Sequence, residues 1–191
     1  MEYDLIRLVD HPLKFRRCIP AAIVIFGGNT DAGQCKIAVE WKLQASGTAN
    51  NDTLTLSWDV ETLRPKFAEI EEELQILRTR DYDRATQVME AAVIVAVAVM
   101  AHVEPDTRFT QRSGTGTSHD YYLNEADDEN ETDNEMIEIA GRSDRSLASL
   151  FKEKKTQSDR NPTLRKRWVS VTIVRKGSRK GPQNRTEGLH P

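Results

Sequence analysis

Cysteine is scarce: Cys18 and Cys35 are the only two in 191 residues. Neither belongs to a CxxC pair or a Cys/His group, which excludes a zinc ribbon or finger and a disulfide-framed secreted domain. Two reduced, partly buried thiols in a cytoplasmic protein are expected, and a bridge between them has nothing else in its favour. Long apolar runs are missing too. The longest, residues 91–103 (AAVIVAVAVMAHV), is flanked by Glu90 and Glu104 and falls well short of the roughly 20 apolar residues that cross a bilayer. It reads as a helix buried on every side, with no membrane partner. The first fifteen residues carry Glu2, Asp4 and Asp10 without an apolar stretch, unlike a secretory signal. His11, His102, His119 and His190 have no metal-ligand spacing. A GxxxxGK[ST] phosphate loop, a nucleophile elbow and an EF-hand loop are all absent. No internal repeat is visible.

Hydrophobic residues make up 38% and charged residues 30% of the chain, and the formal net charge is -3. That composition belongs to a polar globular protein with no overall field drawing it onto nucleic acid. The charge is segregated, however. Acidic side chains dominate residues 124–138, and Arg and Lys dominate residues 165–185. The acidic stretch reads as a solvated loop that would keep DNA out of a neighbouring site. The basic stretch from residue 177 onward reads as a disordered tail available for phosphate contact.

Hydrophobic periodicity divides the chain into an N-terminal β region (1–60), an α/β core (61–176) and that tail (177–191). In the first part, residues 21–26 (AAIVIF) read as a strand closed by Gly27-Gly28-Asn29. Residues 36–44 and 53–58 alternate as two further strands, with Ile37, Val39, Trp41 and Leu43 on one face. Leu63, Phe67, Ile70, Leu74 and Leu77 then fall at spacings of three and four, as in an amphipathic helix with Pro65 in its first turn. That stripe is a core face or a contact surface for a protein partner or a second copy of the chain. A second helix covers about 83–102. Strands follow at 107–111, 119–123 and 135–140, with a tight SGTGT turn at 113–117. A helix over 146–157 and a strand over 168–174 complete an αβββαβ order. The last crossover favours a parallel neighbour, and the whole is an α/β (α+β) sandwich.

In that order Asp120 begins the second strand of the meander and Glu138 ends the third. Antiparallel neighbours bring such positions together. Glu90 stands on the preceding helix just before its wholly apolar part and needs a partner there: a metal ion, a lysine or an arginine. Converging carboxylates suit Mg²⁺ or Mn²⁺, and the chemistry that uses them with a nearby lysine is phosphodiester hydrolysis. The alternative is that Asp120 and Glu138 merely close strands at a solvated sheet end. His119 neighbours Asp120 but points to the opposite face of an alternating strand.

The order αβββαβ, with Asp120 on the second strand and Glu138-Ile139-Ala140 on the third, resembles the PD-(D/E)xK restriction-endonuclease-like superfamily. The run Ser113-Gly114-Thr115-Gly116 … Asp120-Tyr121-Tyr122-Leu123, Glu138-Ile139-Ala140-Gly141 and Lys154 … Gln157 also resembles a group of small bacterial proteins patterned GTG-x-DY-x-L, E-V-S-G, K-x-x-Q. The resemblance covers the last half of the chain. It implies a restriction-endonuclease-like core and a metal-dependent nuclease acting on DNA rather than RNA, in defence or repair. Glu90, Asp120 and Glu138 would be metal ligands, and Asp120, Glu138 and Lys154 catalytic. The sequence departs from the pattern at Ala140, where the motif's lysine belongs. Lys152, Lys154 and Lys155 on the following helix are the replacements, with Lys154 first because it matches K-x-x-Q. If none reaches the site, the resemblance implies a non-cutting subunit that binds protein or nucleic acid in a larger assembly.

Overall fold

The computed structural model describes residues 1–43, 48–79, 84–112, 120–124, 135–160, 166–175 and 181–189. The SGTGT turn, His119 and most of the acidic stretch lie outside them. The elements are β1 (Glu2–Asp4), α1 (Ile19–Gly27), β2 (Ala32–Lys42), β3 (Asn50–Asp59), α2 (Val60–Leu63), α3 (Ile70–Thr79), α4 (Arg84–Val103), β4 (Phe109–Arg112), β5 (Tyr121–Leu123), β6 (Glu135–Arg142), α5 (Leu147–Ser158), β7 (Lys166–Ile173) and β8 (Gln183–Leu189). All eight strands form one mixed sheet in the order β1-β3-β2-β8-β7-β6-β5-β4. The fold is therefore mixed α/β. From α4 to β7 the helix–three strands–helix–strand order is present, with β4, β5 and β6 antiparallel and β6 parallel to β7.

Three readings of the sequence change. Residues 21–26 belong to a helix, α1, not to a strand. A short apolar run cannot distinguish the two by periodicity, and its ends decide: Pro20 stands in the first turn, and Gly28 follows the last turn with φ of +62°, the usual Pro-first, Gly-last asymmetry of helices. The stripe from Leu63 to Leu77 is not one helix. Asp59 caps α2 by accepting from the Glu61 N–H at 3.1 Å, so the helix starts earlier. Pro65, which has no N–H, helps end it, and α3 begins afresh at Ile70. Leu63, Phe67, Ile70 and Leu74 are buried within the chain itself. Thirdly, the expected disordered tail contains β8, which pairs parallel with β2 and antiparallel with β7.

That strand hides a polar core. Asn184 is buried, and its two Nδ2 hydrogens are shared among Ser170 Oγ, the Val171 carbonyl and Thr172 Oγ1, each at 3.1 Å. Its Oδ1 accepts from Thr186 Oγ1 at 2.9 Å, and Thr186 in turn meets Ser170 at 2.9 Å. Every member is satisfied, so the network fixes the register of β8 on β7 instead of destabilising the interior. Composition alone could not reveal this, because these residues read as tail chemistry.

Helices α1, α3 and α4 cover one face of the sheet, and α5 covers the other at β6 and β7. The α4 helix is buried all round from Ala91 to Met100, as expected. It is the one helix among the described residues long and apolar enough to cross a membrane, and 67% of that window is buried inside the fold. Its close seat on β6 depends on Gly141: a Cβ there would stand 2.3 Å from the Val88 carbonyl oxygen and 2.8 Å from the Ala92 Cβ. Cys18 and Cys35 are both free and half-buried.

Two stability experiments follow. Gly141→Ala should lower the unfolding free energy by about 2 kcal/mol or more, because the clash is with helix backbone. Asn184→Ala should cost about 2–3 kcal/mol by leaving buried hydroxyls and a carbonyl with fewer partners. Urea denaturation of both variants checks the two losses, and wild-type midpoints would contradict this account.

Candidate active site

Asp120 lies one residue before β5. Its backbone N–H donates to the Ile137 carbonyl at 2.9 Å, which continues the β5–β6 ladder by one step. Its side chain takes over the next step: Oδ2 accepts the Ile139 N–H at 2.7 Å. The carboxylate thus substitutes for strand backbone beyond the start of a three-residue strand. Glu138 precedes Ile139 on β6, and by strand alternation its side chain points to the opposite face from Ile137 and Ile139, toward α5. It is buried, with 3% of its side chain exposed.

Buried carboxylates need a partner, and α5 supplies one. Leu150 and Phe151 are the buried apolar residues of that helix, with Leu147 packed beside them. Positions 147, 150, 151, 154 and 158 share the helix face that looks inward, so Lys154 continues the core stripe with a cation. Its Nζ is 2.5 Å from Glu138 Oε1 and 3.0 Å from Gln157 Oε1, one turn further along α5. Lys152 is exposed, and Lys155 pairs instead with Asp159 at 3.8 Å. Of the three lysines expected as replacements, Lys154 is the one that meets Glu138 among the described residues. Ala140 explains why the cation comes from the helix: it is packed with Leu150, Phe151, Val169 and Val171. A lysine there would have to displace that packing.

The electrostatics couple the two acids. Burial, with a further push from the Asp120 charge, raises the Glu138 carboxyl to about 7 against the pull of Lys154. Burial also raises Asp120, opposed by the Ile139 N–H and by Lys154 and Arg112. Glu90 does not join them in a three-carboxylate group. No three His, Cys, Asp or Glu side chains converge on a metal position among the described residues. Glu90 instead lies on the wall of a cleft that Asp120 also lines, and its carboxyl is raised by burial and by Glu73. The pair that remains still suits Mg²⁺, which commonly takes one or two protein carboxylates and keeps several waters. Among the described residues, Asp120 Oδ1 and Glu138 Oε2 make no hydrogen bond or ion pair, and a cation between them would offset the burial that raises both acids and the Asp120 charge that raises Glu138 further.

The sequence pointed to Asp120, Glu138 and Lys154, and the structure brings these three together. It did not single out Arg112, whose position beside Asp120 became visible only with the fold. The signal available was weak: a cation ending one strand opposite the carboxylate that starts the next.

Without a divalent ion the buried acid makes stability depend on pH. Glu138 titrates at about 7 in the fold against an ordinary 4.5, so folding favours its protonated form. The stabilisation is complete below the lower value and disappears as pH rises through the upper one, by on the order of 3 kcal/mol. Melting temperatures taken in chelator should fall from about pH 5 to about 8, and Glu138→Gln should flatten that slope. A wild-type curve that rises with pH would contradict the assignment. Comparison of the chain with family models, with curated proteins and with solved structures finds no match.

Proposed function

We propose that the chain is a metal-dependent nuclease-like protein that hydrolyses DNA phosphodiesters. One observation carries the reading: the buried Glu138 carboxylate, coupled to Asp120, meets the Lys154 ammonium at 2.5 Å across the junction of β6 and α5. Two acids and a lysine, with Glu138 buried and Asp120 and Lys154 half-buried beside it, are the parts this reaction needs. The arrangement from α4 to β7, with its antiparallel meander and parallel crossover, agrees with the restriction-endonuclease-like core that the sequence resembles.

In this reading Asp120 and Glu138 would hold Mg²⁺ or Mn²⁺, which supplies Lewis-acid polarisation of a phosphoryl oxygen and charge stabilisation of the leaving oxygen. The chain's own residues do the rest. The Ile139 N–H holds one oxygen of Asp120 and so fixes the direction of the other. Lys154 holds one oxygen of Glu138 in the same way, and Gln157 keeps the ammonium from swinging into solvent. The ammonium would orient the attacking water or bear on a non-bridging oxygen of the phosphate as negative charge develops there.

A second reading has a specific observation in its favour: Lys154 already neutralises Glu138, so the acid does not require a cation to be buried. A non-cutting relative, acting as a binding subunit, would look the same. Plasmid nicking in Mg²⁺ or Mn²⁺ separates the two. Wild type should convert supercoiled to open-circular DNA, and Asp120→Ala, Glu138→Ala and Lys154→Met should each slow it by about a hundredfold or more. Absence of nicking, together with metal affinity unchanged in Asp120→Ala and Glu138→Ala, would leave the binding subunit.

A further inference from the structure

The cleft that Asp120 shares with Glu90 has a volume of about 490 Å³. Its walls come from three places: the turn before and within residues 13–18, the first half of α4, and the facing ends of β4 and β5. The turn is anchored there by an aromatic triad. Phe15 stands edge-on to Phe109 at 5.7 Å and to Tyr121 at 5.5 Å, and Phe109 to Tyr121 at 5.8 Å. One wall is apolar, with Leu13, Met89 and Val93, and the rim is cationic, with Lys14, Arg17 and Arg112. Glu90 and Asp120 are the acids inside it, and Cys18, Thr86 and Tyr121 complete its polar lining. Arg17 lies near Glu73. Neither Lys14 nor Arg112 forms a salt bridge among the described residues.

Lys14 has a further peculiarity. Its backbone is left-handed, with φ of 56° and ψ of 36°, a conformation that L side chains other than Asn and Asp rarely adopt. That strained conformation sets the Lys14 side chain on the lip of the cleft.

We infer that this cleft receives an unpaired DNA strand, one or two nucleotides at a time, and delivers its phosphate to Asp120. Three features of the cleft select this occupant. Its volume is that of a small-molecule pocket, room for a nucleotide or two but not for the stacked pairs of a duplex. An apolar wall beside a cationic rim matches a nucleotide, with a flat base on one side and a phosphate on the other. The cleft runs directly onto a carboxylate of the candidate site. This inference deepens the phosphodiesterase reading of that site and rests on it for the word "delivers", but strand binding can be measured without cleavage.

The test is fluorescence anisotropy in chelator, with an end-labelled single-stranded oligonucleotide and the same sequence as a blunt duplex. Wild type should bind the single strand about tenfold tighter than the duplex. Arg112→Ala and Lys14→Gly should each weaken single-strand binding several-fold and lower the log–log salt slope by about 0.7. Lys14→Gly relieves the left-handed strain, so it folds at least as well as wild type, and a loss of binding in it is not a loss of structure. Preference for duplex, binding of neither form, or variants that bind as wild type would each overturn the inference. Nicking of duplex DNA by a protein whose rim variants bind normally would sink the cleft and leave the nuclease. A rim-dependent preference for single strands in a protein that never cuts would do the reverse.

Discussion

Strands β2 and β7 do not touch. Strand β8 lies between them, parallel to one and antiparallel to the other, and it alone turns two smaller sheets into one. Its inner face is not apolar. Asn184 and Thr186 are fully buried there and close a hydrogen-bond network with Ser170 and Thr172. Such a network is costly if any member is left unmet, so it admits one register and penalises a slip by either residue step. Its outer face carries Arg185, which pairs with Glu40 of β2 at 3.2 Å and lies over the Phe151 ring of α5 at 4.2 Å. The seam therefore ties the N-terminal hairpin to the helix that bears Lys154.

The candidate site is built at the other side of the same layer. A helix with a mainly apolar inward stripe places one cation in that stripe, and a strand with a mainly apolar outward face places one anion in it. Each would be unfavourable alone. Together they let the acid be buried while one of its oxygens is held still. Gly141, three residues after Glu138, lets α4 settle against the opposite face of β6. The acid is thereby fixed from above by α5 and its strand from below by α4.

Much of this was legible in the residues. Alternation located β2 and β3, and the uninterrupted apolar run of residues 91–103 located the long buried α4. The positions of Asp120 and Glu138 on antiparallel neighbours imply that they converge, and the lysines of the next helix are left as candidates, of which Lys154 meets Glu138. Where the reading failed, a local signal was outweighed by something non-local. Residues 21–26 are β-branched and apolar, yet Pro20 and Gly28 at the ends, and burial among α3 and α4, make them a helix. Residues 183–189 contain Asn, Arg, Thr, Glu and Gly, a composition that on its own cannot order a chain. They order because two strands distant in sequence offer open edges on both sides. Glu90 was placed correctly on its helix, but its angular position toward the cleft instead of toward Glu138 follows from how α4 crosses the sheet, which periodicity does not specify.

The late position of β8 has a consequence for synthesis. A chain emerging in order makes β2 and β3 first, then β4 to β7, and until residues 183–189 have been made the inner edges of β2 and β7 both lack the neighbour they will have. Each is an open row of backbone donors and acceptors, the kind of edge that recruits stray strands. The two halves cannot close on one another early, because the element that separates them does not yet exist. Completion of the sheet is thus a single late insertion, and a nascent chain arrested anywhere upstream of it carries two unsatisfied edges and no finished interior.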